Sequence, residues 1–477
     1  MTPKLTFTYG LRWELAFPEQ VNAAGNGGTL DTRTGNIAVF GIGNVSTTGI
    51  MSMNYHNFAP RLALAYQLTP KTVLRAGSGW AYNLGTFGSV FGHNVTQNLP
   101  VVAIQSLNAP QNFSGVFSLA QGPNQPTFPQ PNAQGYIPLP NGVSAKVRPL
   151  QMTLPRVGAY NATVEQQLTQ KISVSAGYVG NQGRHVLLAS SPSYDMNYPQ
   201  FIPGDPNVND GRPFYAKYGW TQSISHYCNC ANNSYNSLQV TAKVQGLAGY
   251  TLQGSYTYQV AKGDGYGDAN SYTFLYNRPL GYGNEDYIAH NQLTFAQNFD
   301  IPFGRGRKFG SNANRIVDWA LGGWNISGVT TYYSGLPFTP TIGSFPAGYA
   351  RPTVGPNDRP NLGSADPYAN AQGNRNQWFV GGLGSAFLLP TQNTFGNYPV
   401  NSLYGPQFIN QDLALAKKFT LTEHSRLTLR MDAANAFNHT NLGMPNANVT
   451  DQAAGRITGL ASQYQMRRVQ FSGRIDF

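Results

Sequence analysis

The chain has 477 residues, 11% of them charged and 13% aromatic, with 53 Gly, 28 Tyr and a formal net charge of +11. It contains no run of about 18 apolar residues, which excludes helical membrane spans but not a membrane β-barrel, whose strands dilute apolar residues with lumen-facing polar ones. Lys and Arg are scattered through alternating segments rather than gathered on a helix or in a cluster, so the basic balance lacks the footprint of a nucleic-acid binder.

Residues 4–15 alternate cleanly, with Leu5, Phe7, Tyr9, Leu11, Trp13 and Leu15 on one parity and Thr6, Thr8, Arg12 and Glu14 on the other. Successive side chains of a strand face opposite sides, so this pattern predicts a two-faced strand. Residues 16–57 are rich in Gly, Asn and Thr and read as a long loop. Residues 61–68 form the next strand, with Leu62, Leu64, Tyr66 and Leu68 together. A tight turn follows at Thr69-Pro70-Lys71, where Pro presets the dihedral and cannot continue a ladder. Residues 72–82 lead away, and 83–155 form a long Pro- and Asn-rich connection. Strands are expected at 160–168 and 171–179 around a short turn. A long excursion at 180–234 precedes a hairpin of 235–245 and 250–259. After a loop at 260–290, residues 291–299 carry Leu293, Phe295 and Phe299. Residues 300–320, containing I-P-F-G-R-G-R-K, form a turn of intermediate length before a strand at 321–333. The last very long loop, 334–409, leads to a hairpin of 410–419 and 425–433. A loop at 435–465 then leads to the closing strand 469–477 (V-Q-F-S-G-R-I-D-F).

About twelve strands result, and their connections alternate long and short to the end of the chain. Short turns on one side and long loops on the other is the layout of outer-membrane barrels. A soluble sandwich or propeller, the other fold that suits this composition, has no reason to sort its connections by side. The expected fold is therefore all-β, a transmembrane antiparallel barrel with long extracellular loops and short periplasmic turns. On that orientation the first strand runs outward and Phe477 ends at the periplasmic face. Met1-Thr2-Pro3-Lys4 resembles the turn at Thr69-Pro70-Lys71. The chain is accordingly expected to start inside such a turn, as one barrel domain over 1–477 without signal peptide and truncated at its N-terminus.

The residues offer little chemistry. Cys228 and Cys230, one residue apart, fall short of a four-ligand zinc site; a local disulfide is the alternative. His185, His226, His290, His424 and His439 show no metal-ligand spacing, and the G-R-G-R of residues 304–307 lacks a strand–loop–helix frame. No catalytic, cofactor or metal residue is expected. Glu165 and Asp432 fall on the lumen parity, where pairing with arginines such as Arg430 or Arg474 competes with substrate contact. Trp13, Trp80 and Trp324 are candidates for interfacial girdles. Trp220, Trp378 and Tyr404, in the loops, are the candidate contacts for an extracellular ligand.

Several motifs occur in the order found in one family. N-F-A-P-R-L-A-L-A-Y at 57–66 and T-V-L-R-A-G-S-G-W at 72–80 resemble the C-terminal barrel of Oar-like TonB-dependent receptors. So do Y-V-G-N-Q-G-R-H at 178–185, S-Y-N-S-L-Q-V at 234–240 and I-P-F-G-R-G-R at 301–307. G-G-W-N-I-S-G at 322–328, S-G-L-P-F-T at 334–339, F-G-N at 395–397 and R-M-D-A-A-N-A-F-N-H-T-N at 430–441 fit the same pattern. The resemblance implies an intact barrel of about 22 strands filled by an N-terminal plug, often preceded by a carboxypeptidase-regulatory-like sandwich. Neither is expected within this chain, nor is the segment that docks the TonB complex. The terminal aromatic Phe477 resembles the signal read by the barrel-assembly machinery. The implied location is the bacterial outer membrane, the implied partners are its lipid, that machinery and an extracellular ligand, and the implied role is ligand capture and uptake. A passive porin-like channel and a surface protein for adhesion or secretion are the competing roles.

Overall fold

The computed structural model describes residues 4–83, 92–104, 115, 117–123, 128–151, 153–187, 193–264 and 271–477. The expected turn at Met1–Lys4 falls, apart from Lys4, outside the described residues. The twelve expected strands are all present: β1 (Leu5–Trp13), β2 (Phe58–Thr69), β3 (Thr72–Tyr82), β4 (Arg156–Thr169), β5 (Ile172–Val186) and β6 (Ala231–Leu247), then β7 (Tyr250–Asp264), β8 (Asn291–Asp300), β9 (Trp324–Tyr333), β10 (Phe408–Thr420), β11 (Arg426–Ala434) and β12 (Arg468–Asp476). They form one antiparallel sheet in chain order, with the short strand Tyr282–Asn284 added beside β7. β1 and β12 are the two edges of this sheet, and among the described residues they do not pair with each other. The wall of twelve strands is thus open in this structure.

The register makes the wall two-faced along its width. One cross-strand row runs Leu5, Tyr66, Leu74, Val164, Ala176, Val240, Tyr256, Leu293, Tyr332 and Ile409 across ten strands. The adjacent row, one residue along, runs Thr6, Ala65, Arg75, Thr163, Gly177, Gln239, Thr257 and Gln292. A slip of one residue between any pair would mix these faces. The apolar face is exposed: Tyr9 is 74% and Phe471 77% accessible. Large apolar side chains arrayed on a continuous exposed surface mark a face that meets something other than water. Most of the buried apolar residues lie instead in the long loops.

The short turns use the residue types that tight reversals need. At the β6–β7 turn, Gly246 and Gly249 hold φ of 61° and 85°, values that side chains disfavour. Aromatic residues of the apolar parity stand at both ends of the wall. Trp13 stacks on Phe58 at 6.0 Å and donates its indole N–H to Tyr55 O at 2.8 Å, and the Arg156 guanidinium lies 4.4 Å from the Trp80 ring. Trp324 occupies the opposite, short-turn end of β9.

Three expectations need adjustment. β4 to β7 extend further toward the long-loop end than alternation suggested, because segments such as A-N-N-S at the start of β6 are polar on both faces and carry no period. Leu321 ends a helix, Arg315–Leu321, and the strand begins at Trp324. Chain 14–15 leaves the sheet: the Glu14 N–H bonds Asn57 O at 3.0 Å, and the buried Glu14 carboxylate meets Arg12 at 3.2 Å.

Candidate functional site

Three ion pairs lie on the polar face of the wall. Arg430 and Asp432 sit two apart on one strand and meet at 2.7 Å, as Arg474 and Asp476 do at 2.6 Å. Glu165 also pairs with an arginine of the polar parity, as expected, though not with either of the two named. Its partner is Arg75 on the adjacent strand, at 3.0 Å, since Arg430 and Arg474 lie many strands away. At the short-turn end this face opens into a hollow of about 460 Å³ bordered by Lys71, Glu165, Lys171 and Lys243.

At the other end the long connections fold into a layer with its own cores. Gly28–Asp31, Asn36–Val39 and Tyr136–Pro138 make one small sheet, and Ser193–Asp195, Ile224–Tyr227 and Ala145–Val147 another. Leu30, Ile37, Leu99, Ile137 and Trp220, from three successive connections, pack into one cluster. Trp220 is only 2% exposed, donates its indole N–H to Leu139 O at 3.1 Å and stacks on Tyr218 at 4.4 Å. Its ring therefore builds the layer and presents no surface to a ligand in this structure. Asn197 ties the same region, donating to Trp220 O at 3.1 Å and Gln222 O at 2.8 Å. Buried Arg148 pairs with Glu19 across two connections. Cys228 and Cys230 form a disulfide, with Cys228 buried.

A second cluster, of Ile342, Phe379, Phe387, Tyr398, Leu403 and Val449, lies in the connections around 334–407 and 435–467. Trp378 and Tyr404 meet here: the Trp378 indole donates to Tyr404 O at 2.8 Å, and Tyr368 Oη donates to the same oxygen at 3.1 Å. Both rings are half-buried. The β7–β8 connection locks the two clusters together. Arg278 pairs with Asp264 at 2.8 Å, Tyr276 Oη donates to Tyr198 O at 2.7 Å, and Arg359 donates to Leu280 O at 2.7 Å. Asn284 and Asn401 clasp each other's backbone carbonyls at 3.0 and 2.7 Å. No local sequence signal marks these long-range ties.

Where that connection meets the next two, a half-open cleft of about 450 Å³ forms. Leu336, Phe338 and Met444 give it an apolar wall; Asp286, Asp358 and Asn401 give it polar edges. Tyr404 backs it, since its strand pairs Pro337–Phe338. Trp378 and Tyr404 therefore lie together behind the cleft, while Trp220 belongs to the other cluster. Titration in the layer is governed by burial. Desolvation lowers His226 to about 4 and, with Asp286 adding like charge, raises Glu285 to about 7. Desolvation also raises Tyr398 to about 12, while the Arg33 hydrogen bond holds Asp31 below the usual carboxylate range. Among the described residues, no group of three or more His, Cys, Asp or Glu is placed to hold a metal. The arrangement suits recognition through apolar contact and hydrogen bonds.

A family model described as an outer membrane beta barrel domain matches residues 1–470. No curated protein matches the chain. Among solved structures, the outer membrane transporter YddB of Escherichia coli is 9% identical, with a TM-score of 0.44, over 90% of this chain and 41% of its own. The ferric-catecholate import receptor Fiu of E. coli K12 is 9% identical at a TM-score of 0.40, covering 100% of this chain and 42% of its own. The ferric enterobactin receptor PfeA of Pseudomonas aeruginosa is 11% identical at 0.42, covering 100% and 43%. The chain spans less than half the length of each.

Proposed function

The chain belongs to the outer membrane beta barrel domain family, which places it in the bacterial outer membrane, and we propose that it is the barrel wall and ligand-capturing face of an Oar-like TonB-dependent receptor. The observation that carries this reading is a two-faced wall topped at one end only by a folded layer with a cleft. On this reading the long-loop end is extracellular and the short turns are periplasmic. A ligand enters at the cleft, with Trp378 and Tyr404 behind it, and passes along the polar face. Energy from the TonB complex reaches the barrel through parts outside this chain, and assembly machinery reads Phe477. Unpaired ladders are not tolerated in a bilayer, so both edges must find partners; on this reading the partners are further strands of a larger wall.

Vesicle swelling tests the reading against a passive channel. Liposomes holding the intact outer-membrane protein are placed in oligosaccharides of increasing size. A receptor admits none without energy input, whereas steady swelling in small sugars would replace this reading with the channel. Uptake by cells of labelled oligosaccharide, oligopeptide and ferric siderophore is the companion measurement. Met444→Trp, which fills the cleft, is expected to abolish uptake of one of these without lowering the amount of protein in the membrane. Adhesion lost with uptake unchanged would favour the surface-interaction role.

A further inference from the structure

The turn between β8 and β9 is unlike the other short connections. It holds the helix Arg315–Leu321, capped by Asn314, whose side chain accepts from the Val317 N–H at 2.9 Å. The helix packs on the apolar side of the wall: Trp319 lies 4.8 Å from Phe419, which shares the parity of Leu415 and Leu427. Its outer surface is nonetheless apolar, with Ile316 82%, Trp319 55% and Leu321 52% exposed. Lys417 comes from the same apolar parity and fastens the helix end, donating Nζ–H to Ala320 O at 3.1 Å and Gly322 O at 2.6 Å.

Between this helix and β9 to β12 lies an open hollow of about 750 Å³, bordered by Trp319, Trp324, Leu415, Phe419, Leu429 and Phe471. Gly473 leaves its floor without a side chain; a Cβ there would sit 3.5 Å from Leu429. The same turn carries Arg305, Arg307 and Lys308, all exposed, and Arg315 opens the helix. Its one acid, Asp318, already accepts the Arg305 N–H at 2.7 Å. An apolar hollow beside an exposed apolar helix, in a turn that also carries three exposed cations, combines the two signals that hold a segment at an anionic lipid surface.

We propose that this turn binds an anionic phospholipid of the periplasmic leaflet, with an acyl chain in the hollow and the phosphate at Arg305, Arg307 and Lys308. The proposal rests on the membrane placement of the wall and not on uptake. The apolar parity supplies the hollow because it faces lipid, and the cations stand at the level where head groups begin. Each cation at such a surface strengthens association on the order of fivefold.

Tryptophan quenching in vesicles of phosphatidylcholine tests it, using the intact protein and either phosphatidylglycerol or phosphatidylcholine brominated on the acyl chain. The difference between the wild type and Trp319→Phe isolates the Trp319 signal. The expected result is stronger quenching of Trp319 by the brominated phosphatidylglycerol, by about fivefold or more in apparent association. Combined Arg305→Gln, Arg307→Gln and Lys308→Gln should remove the preference, and Gly473→Leu should lower quenching by both lipids. Equal quenching by the two lipids in the wild type, or a preference that survives the triple substitution, overturns the proposal. If Trp319 is unquenched while Trp13 and Trp80 are quenched, the lipid site falls and the wall placement stands. If none of the three is quenched, the wall placement itself falls.

Discussion

At the scale of single residues, burial in the loop layer sets two opposed pH responses. Glu285 is 6% exposed, and among the described residues its Oε2 has no hydrogen-bond partner. Its carboxyl, raised to about 7 from 4.5, favours the protonated form in the folded layer. Stability from this site is therefore full below about pH 4.5 and lost as pH rises through about 7. His226, lowered from 6.5 to about 4, acts in the opposite sense: its contribution is present above about 6.5 and lost as pH falls through about 4. Hydrogen exchange of the loop layer should accordingly be slowest, after correction for intrinsic rates, between about pH 4.5 and 6.5, where the two slopes offset each other. Glu285→Gln should slow exchange around residues 282–290 at pH 8, by on the order of 2 kcal/mol, and have little effect at pH 5. Exchange that is equally fast at both pH values in wild type and variant would show that Glu285 is not held protonated.

At the scale of elements, the wall was legible in the sequence and the layer above it was not. Alternation in segments such as L-T-F-T-Y-G-L-R-W and V-Q-F-S-G-R-I-D-F is short-range information, and each of the twelve segments that carry it became a strand. Where the strands rise into polar residues on both faces, as in G-N-Q-G-R-H-V of β5, the period vanishes and alternation stops short of the strand's end. The long connections read as loops because their apolar residues follow no period. Leu30, Ile137 and Trp220 meet only through contacts far apart in sequence. Trp220, with the look of an exposed aromatic, is instead among the largest fully buried side chains. Of the candidate site, the aromatic pair Trp378 and Tyr404 was visible as residue types, but the cleft in front of them depends on three connections meeting. Trp220→Ala should cost the first cluster about 3–5 kcal/mol. Limited proteolysis should then cut residues 28–39 and 136–147 rapidly, while the heat-modifiable electrophoretic mobility of the barrel stays unchanged. Resistance equal to wild type would mean that Trp220 is not what holds the cluster.

At the scale of the whole molecule, the apolar surface is divided between two solvents. The loop layer buries its apolar residues within itself, and the wall displays them in continuous rows. That division is expected of a protein whose upper part stands in water and whose wall stands in lipid. The edges β1 and β12 bear on how the wall closes. On the proposed reading, cysteines introduced at Tyr9 and scanned along Val469, Phe471 and Ile475 form no cross-link in the intact protein, because further strands intervene; efficient cross-linking would mean that the twelve strands close on themselves. The most direct test of the two-faced wall is paramagnetic accessibility of spin labels placed singly from Ser255 to Tyr258 on β7 in lipid vesicles. Collision with oxygen should peak at Tyr256 and Tyr258, and collision with a water-soluble nickel chelate at Ser255 and Thr257, the two profiles alternating with a period of two residues. Profiles that rise and fall together, or that do not alternate, would contradict the account.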